Sequence, residues 1–194
     1  MNKIITISRQ FGSGGHFIGE QVANKLGIQF YDKKIIEKIA EETGFSEKFI
    51  REQSEYSSSK NPFAFGLIGR DQNGESIADK IYAAQAKIIR ELSHKEDCVI
   101  IGRCADYILK DEVDIKLLNV FICADEGAKA ERIQKLYEKT ETEAIKLIRD
   151  MDKKRKLHYE FYTDRTWGNL MNYSLILNSS ELGREKCIDL ICSL

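Results

Sequence analysis

Short apolar runs rich in β-branched residues alternate along the chain with longer amphipathic segments. The longer segments repeat apolar residues every three or four positions, as one face of an α-helix does. Alternation of this kind predicts βαβ units around a mainly parallel sheet, which is an α/β fold. The predicted strands are 4–8, 29–31, 98–101, 119–123 and 175–177, and the predicted helices are 17–26, 34–43, 77–93, 128–137, 141–162 and 184–192.

One segment, residues 54–76, breaks the helical pattern and predicts a long loop. It holds the single proline of the chain, Pro62, together with a run of serines and several glycines and asparagines. These residues favour turns over helices. Loops of this length inside compact domains commonly line or cover binding sites.

Size and charge narrow the class of protein. A chain of 194 residues with 42% apolar residues predicts one domain whose core needs no disulfide or structural metal. Thirty basic residues against thirty-one acidic ones leave a net charge of −1, so bulk charge does not attract the protein to nucleic acid or membranes. Five scattered cysteines and the lack of a long apolar run predict a reduced, soluble, cytoplasmic protein.

The most distinctive local feature is a glycine-rich turn between the first predicted strand and the first predicted helix. Gly12, Gly14 and Gly15 follow the strand directly. Glycines at such a junction let backbone N–H groups and the helix N-terminus approach a phosphate closely. The alternative is a turn that only packs the helix against the strand.

Two phosphate-binding motifs fit this turn in part. A dinucleotide fingerprint needs a third glycine where Phe17 stands, although Asp32 lies about 20 residues on, as a ribose-binding acid would. A P-loop with its second glycine at Gly14 has Gly15 in place of lysine and His16 in place of the hydroxyl residue. Neither regular pattern is complete.

Taken with its surroundings, the chain resembles the cytidylate kinase-like family, relatives of nucleoside monophosphate kinases within the P-loop fold. The resemblance implies one three-layer domain over residues 1–194, with a helical acceptor-binding insertion near 33–95 and a helical lid near 138–168. It rests on the segments Ile7-Ser8-Arg9-Gln10-Phe11-Gly12-Ser13-Gly14-Gly15, Leu26-Gly27-Ile28-Gln29-Phe30-Tyr31-Asp32, Ile100-Ile101-Gly102-Arg103-Cys104-Ala105-Asp106-Tyr107 and 152–178.

The resemblance also implies an activity. A member of this family is expected to move the γ-phosphoryl group of ATP, with Mg²⁺, to a small acceptor such as the pyrimidine nucleotide CMP. The expected partners are therefore small-molecule nucleotides, with no nucleic acid and no membrane. The residues expected to bind the donor phosphates are Arg9, Gly12, Ser13, Gly14, Gly15 and His16.

Further residues are expected around the acceptor and the transferring group. Phosphoryl transfer depends on positioning and on charge neutralisation, which the planar guanidinium of arginine supplies well. The charged run 149–156 also fits an ordinary solvated helix face. By the resemblance, Asp32, Arg103, Asp106 and Asp152 bind or place the acceptor, and Arg149 and Arg155 neutralise charge at the transferring group.

Three departures from the P-loop pattern keep other functions open. Gly15, His16 and Ile101 stand where a standard kinase of this fold has a lysine, a hydroxyl residue and a strand-end acid. The sequence therefore assigns no metal ligands, and it also fits a nucleotide-binding protein without turnover. A nicotinamide-dependent oxidoreductase is a third hypothesis, but it leaves Arg103 and the lid arginines without a role.

Overall fold

A computed structural model of the chain describes residues 1–53, 74 and 76–194. The predicted loop at 54–76, with Pro62, lies outside the described residues except for Gly74 and Ser76. The described part contains five strands and nine α-helices. They are β1 (Asn2–Arg9), α1 (Gly15–Leu26), β2 (Gln29–Tyr31), α2 (Lys33–Thr43), α3 (Glu47–Gln53), α4 (Ile77–Lys95), β3 (Cys98–Ile101), α5 (Ala105–Ile108), β4 (Ile115–Cys123), α6 (Glu126–Tyr137), α7 (Glu141–Thr163), β5 (Leu175–Asn178), α8 (Ser179–Leu182) and α9 (Arg184–Cys192).

The strands form one parallel sheet in the order β2-β3-β1-β4-β5. Because every strand runs the same way, the segments that follow β1, β3 and β4 meet at one edge of the sheet. This order differs from the 3-2-1-4-5-6 order of the dinucleotide-binding fold. The topology therefore gives no support to the nicotinamide hypothesis.

The apolar side chains on the two faces of the sheet form two separate buried clusters. Ile5 and Ile7 of β1 pack with α1 and α9, whereas Ile4 of the same strand packs with α2 and α4 on the other side. Each strand side chain points to the face opposite its neighbour's, so a strand covered on both sides reads as a continuous apolar run. The result is the predicted three-layer α/β architecture.

The sequence pattern located the main elements but not all of their ends. Strand β4 begins at Ile115, earlier than the predicted 119, because its first half pairs with the start of β1. The short helices α3, α5 and α8 were not predicted, since they are too short to show a helical period. No helix in the described part of the chain is long and apolar enough to cross a membrane.

Gly19 lets α1 lie against the sheet, and we expect Gly19→Ala to lower the free energy of unfolding by about 1–2 kcal/mol. A Cβ at Gly19 would fall 2.5 Å from Ile101 Cδ1 and 3.0 Å from Ile7 Cδ1. Gly127 in α6 is a matched control, because a Cβ there meets nothing within 4 Å. Urea unfolding of both variants checks this, and equal stability of the two alanine variants would contradict it.

Candidate functional site

The glycine-rich segment joins β1 to α1, and the first N–H groups of the helix have no acceptor within the described residues. Gly14 is the N-cap, with φ 81°, and no side chain caps the helix. The first backbone bond of the helix runs from Ile18 N–H to the Gly14 carbonyl oxygen (3.0 Å). The preceding N–H groups and the positive end of the helix dipole form a setting that favours an anion.

Side chains from α6 and α7 hold this loop in place. Phe11 N–H donates to Asp152 Oδ1 (2.6 Å), and Lys129 Nζ donates to Gln10 Oε1 (3.2 Å). Burial raises the pKa of Asp152, although the Phe11 N–H and the charges of Arg155, Lys129 and Arg9 oppose that rise. Asp152 thus contacts the glycine-rich loop, and its expected role in placing the acceptor stays a prediction.

A second turn of unusual conformation follows β3. Gly102, Arg103 and Cys104 have φ values of 64°, 61° and 53°, so three consecutive residues are left-handed. For residues with a Cβ this conformation costs roughly 1–2 kcal/mol each. Backbone strain of this kind occurs chiefly at functional sites, where the surrounding structure holds it in place.

This strained turn carries a deeply buried arginine. Arg103 is only 1% exposed, and its carbonyl oxygen accepts a hydrogen bond from Gln85 Nε2 (3.0 Å). Its Nε and Nη1 atoms have no hydrogen-bond partner among the described residues. Because buried N–H groups of a guanidinium are costly when they lack acceptors, the two atoms point to an anion that binds from outside.

The guanidinium of Arg103 lines a small, largely enclosed cavity that we call the arginine cavity. Arg9 and Arg155 line it as well, and Arg155 Nη1 donates to the Arg9 carbonyl oxygen (3.0 Å). Three cations around one small space suit an oxyanion with more than one negative charge. The remaining lining residues are Ser8, Gly102, Cys104, His158, Tyr159 and Trp167.

A wider cleft, which we call the loop cleft, is lined by the glycine-rich loop and by two residues of the arginine cavity. Arg9 and Arg155 line both the arginine cavity and the loop cleft. The sequence-predicted residues Gly12, Gly14, Gly15 and His16 line the loop cleft. A donor phosphate on the loop and an acceptor anion beside Arg103 would therefore meet between Arg9 and Arg155.

Asp106 lies next to the arginine cavity but outside its lining. Its Oδ2 accepts a 2.7 Å hydrogen bond from the Tyr159 hydroxyl, and Tyr159 lines the cavity while Asp106 does not. Asp106 is 1% exposed, and burial raises the pKa of its carboxyl group. Asp106 thus contacts the cavity through Tyr159, whose hydroxyl group it holds.

The raised pKa of Asp106 predicts a pH-dependent effect of Asp106→Asn. A carboxyl whose pKa is raised by folding stabilises the fold below its ordinary pKa, and that contribution is lost as the pH rises through the folded-state value. Asparagine can still accept from Tyr159 but does not ionise. We expect its free energy of unfolding, relative to the natural protein, to increase between about pH 4 and pH 7. Urea unfolding at both pH values checks this, and a constant difference would contradict it.

Of the remaining predicted residues, Arg149 lies apart from both cavities, whereas His16 and Asp32 lie beside the glycine-rich loop. Arg149 is 70% exposed and pairs with Glu126 of α6 (Nη2 to Oε1, 2.9 Å), away from both cavities. His16 Nε2 lies 3.1 Å from Asp32 Oδ2, at the start of α2. Arg149 is thus not brought to the other predicted residues, whereas His16 and Asp32 adjoin the loop together.

Two arginines at the site were missed by the sequence analysis. A Cβ on Gly14 would fall 3.3 Å from Arg184 Cδ and 3.8 Å from Arg132 Cζ, so both reach the N-terminus of α1. Burial and the charge of Arg184 lower the pKa of Arg132. Neither has a carboxylate partner within the described ranges. The sequence signal that could have identified them is that each lies on a helix that follows a predicted strand, β4 or β5. Such helices begin at the same edge of the sheet as the glycine-rich loop.

Arg132 also belongs to a third, more open pocket on the far side of the loop. Ser179 and Ser180, which directly follow β5, line this pocket with Arg184. The Ser179 hydroxyl donates to the carbonyl oxygen of Ser13 (2.6 Å), which joins the C-terminal elements to the glycine-rich loop. Gly12 lines both this pocket and the loop cleft, so the glycine-rich loop borders two pockets.

Comparison with known proteins identifies the family. The profile described as the cytidylate kinase-like family matches residues 4–181. The chain belongs to this family. The assignment confirms the resemblance drawn from the sequence, and it supports a phosphotransferase that acts on a nucleotide or another small molecule. None of the curated proteins matches the sequence significantly.

Solved structures confirm the fold. An uncharacterized protein from Eubacterium ventriosum ATCC 27560 is 25% identical, with a TM-score of 0.75 over 99% of this chain and 97% of its own. A shikimate kinase from Bacteroides thetaiotaomicron is 16% identical, with a TM-score of 0.55 over 98% and 96%. A deoxyadenosine kinase from M. mycoides, with dCMP and dCDP bound, is 14% identical, with a TM-score of 0.52 over 98% and 97%. The two kinases share the fold of this chain.

The residues present do not form the usual protein site for Mg²⁺. His16 replaces the hydroxyl residue of the P-loop, and Ile101 with Gly102 replaces the acid at the end of β3. Imidazole is a poor ligand for this hard cation, which prefers oxygen. Within residues 1–53, 74 and 76–194 no three His, Cys, Asp or Glu side chains cluster as a metal site. Direct metal ligands from the protein are thus not assigned.

Proposed function

We propose that the chain transfers the γ-phosphoryl group of ATP to a nucleoside monophosphate, with CMP as the first expected acceptor. The observation that carries the proposal is the buried guanidinium of Arg103, whose Nε and Nη1 have no partner among the described residues. Its cavity and the loop cleft share Arg9 and Arg155 in their linings. A phosphate bound at Arg103 would therefore face a donor held by the loop.

The reaction needs no acid or base from the protein. An oxygen of the acceptor phosphate, already ionised near neutral pH, forms a bond to the γ-phosphorus. The bond from that phosphorus to the bridging oxygen breaks, and ADP leaves with the electron pair. Catalysis then consists of alignment and of neutralising charge on the transferring group. Arg155, which lines both the arginine cavity and the loop cleft, would neutralise that charge.

The phosphates of the donor ATP would be bound by the glycine-rich loop and by two further cations. The free N–H groups at the start of α1 would bind phosphate oxygens, and Arg132 and Arg184 would neutralise the same group from outside. The pocket at Ser179 and Ser180 is open enough to receive the rest of the donor nucleotide. Mg²⁺ would be held by the nucleotide phosphates and water, with no direct ligand assigned to this chain.

A nucleotide-binding protein without turnover is the second candidate. The observation that favours it is the glycine at position 15 and the histidine at position 16, which remove two groups that P-loop kinases use on the phosphates and the metal. This candidate predicts ATP or monophosphate binding without product.

A turnover assay separates the two candidates. Purified protein is incubated with ATP, Mg²⁺ and each of a panel of ribo- and deoxynucleoside monophosphates, with shikimate as a non-nucleotide acceptor, and products are identified by mass. Arg155→Ala, prepared in parallel, controls for contaminating kinases. A nucleoside diphosphate product that disappears in this variant supports the proposal. Product from shikimate alone, or nucleotide binding without product, contradicts it.

A further inference from the structure

The first residue of α1 has no room for a side chain. An ideal Cβ on Gly15 would lie 2.6 Å from Arg9 Cβ, 3.0 Å from Arg9 Cγ and 3.3 Å from Ile122 Cβ. The shortest of these contacts is to an atom fixed by the backbone of β1, which cannot rotate away. A lysine at position 15, where the P-loop pattern has one, is therefore excluded as long as residue 9 carries a side chain.

The residue that excludes the lysine is itself a cation at the same place. Arg9 is the last residue of β1, 5% exposed, and it lines both the loop cleft and the arginine cavity. The lysine of a P-loop reaches the β- and γ-phosphates from the first turn of the helix. Arg9 approaches the same turn from the strand below it.

We propose that Arg9 performs the task of the missing P-loop lysine, and that Gly15 is a glycine because Arg9 occupies the space of its side chain. The inference rests on the proposed function for the identity of the ligand as a polyphosphate. The guanidinium offers several donors in a fixed plane, so it can contact a phosphate on the loop side while remaining beside Arg155. The hydrogen bond from Arg155 to the Arg9 carbonyl oxygen, 3.0 Å, keeps the two arginines together.

A purely structural role for Arg9 is the competing explanation. Its charge opposes the rise that burial causes in the pKa of the Asp152 carboxyl, so it contributes to the charge balance beneath the loop. Such a role predicts that loss of Arg9 destabilises the fold, with no particular effect on polyphosphate binding and no rescue by a charge elsewhere. Moving the charge distinguishes the two explanations.

The test moves the cation from the strand to the helix. In Arg9→Gly/Gly15→Lys the glycine at position 9 removes the atoms that block position 15, and the new lysine extends from the first turn of α1. Arg9→Gly/Gly15→Ala has the same backbone changes without the charge. Affinity for inorganic tripolyphosphate is measured by calorimetry, and urea unfolding confirms that each variant is folded. We expect the lysine variant to bind at least about 10-fold more tightly than the alanine variant.

Single substitutions provide a second arm should the glycine at position 9 prevent folding. We expect Arg9→Gln to weaken tripolyphosphate binding about 10- to 100-fold, the scale of a charged hydrogen bond, and Arg9→Lys to retain most of it. Arg90→Gln, at a surface arginine paired with Glu112, is the matched control and should bind as the natural protein does.

The outcomes separate this inference from the proposed function. Equal affinity of the lysine and alanine double variants, equal loss in Arg9→Gln and Arg9→Lys, or no tripolyphosphate binding by the natural protein would each overturn the inference. Charge-dependent binding of tripolyphosphate in a protein that phosphorylates no acceptor would support the role of Arg9 while the proposed phosphotransferase failed.

Discussion

Replacing Arg103 by methionine should make the ligand-free protein more stable and the binding of a monophosphate weaker. Methionine retains an unbranched apolar stem but removes a buried charge whose Nε and Nη1 lack partners among the described residues. Replacing poorly compensated buried charge by apolar groups is often stabilising, here by about 1 kcal/mol or more. Loss of a charged hydrogen bond should weaken monophosphate binding by about 1.5–3 kcal/mol. Urea unfolding and calorimetric titration with CMP measure the two effects.

The expected gain in stability together with the expected loss of affinity distinguishes a binding role of Arg103 from a structural one. If Arg103 served only to stabilise the fold, its replacement would lower the free energy of unfolding. If it is a binding residue that destabilises the free protein, its replacement would raise that free energy. Arg90→Met is the control, since Arg90 is half-exposed and paired with Glu112, and it should change neither quantity appreciably. A folded Arg103→Met protein with unchanged affinity for the monophosphate panel and for inorganic phosphate would refute the assignment of Arg103.

Replacing Arg155 by alanine should reduce kcat by about 100- to 1,000-fold, the usual effect of removing one preorganised donor from a transition state. Arg155 is 6% exposed and lines both cavities, so its charge lies where the phosphoryl group would move. Because the proposed function has the ligands held mainly by the loop and by Arg103, we expect KM to change much less than kcat. Steady-state kinetics with ATP and the acceptor found in the panel give the two constants separately.

Lys153→Ala controls for any loss of charge on the same helix, because Lys153 is an exposed residue of α7. It should leave kcat within a few-fold of the natural value. A parallel fall of kcat in both variants, or a loss confined to KM in Arg155→Ala, would contradict the assignment. The catalytic role of Arg149 stays a prediction from the resemblance, and its pairing with Glu126 ranks it below Arg155.

The proposed roles of Arg103 and Arg155 together explain why the backbone at the end of β3 is strained. The left-handed turn at residues 102–104 carries Arg103, whose side chain is buried and which lines the arginine cavity with Arg9 and Arg155. The strain and the buried charge are both unfavourable in the free protein. Binding of an oxyanion would offset them, which fits a site built for a ligand rather than for the stability of the fold.

The order of elements was predictable because it depends on local patterns. Strands with β-branched runs, amphipathic helices and a glycine-rich junction are each visible within about 10–20 consecutive residues. The same local reasoning found Arg103, since an arginine after a buried strand and a glycine lies at the ligand-binding edge of a parallel sheet. The short helices and the early start of β4 were not predictable, because pairing partners distant in sequence define them.

By itself, therefore, the sequence determined the α/β class, the parallel sheet, the glycine-rich junction between β1 and α1, and the family. Only the tertiary structure decided which charged residues share the site. It brought Arg132 and Arg184 to the loop, turned Arg149 toward Glu126, and placed Arg9 against Gly15. The physical reason is that these positions depend on the packing of α6, α7 and α9 against β1 and its loop, and contacts between segments so far apart leave no local pattern in the chain.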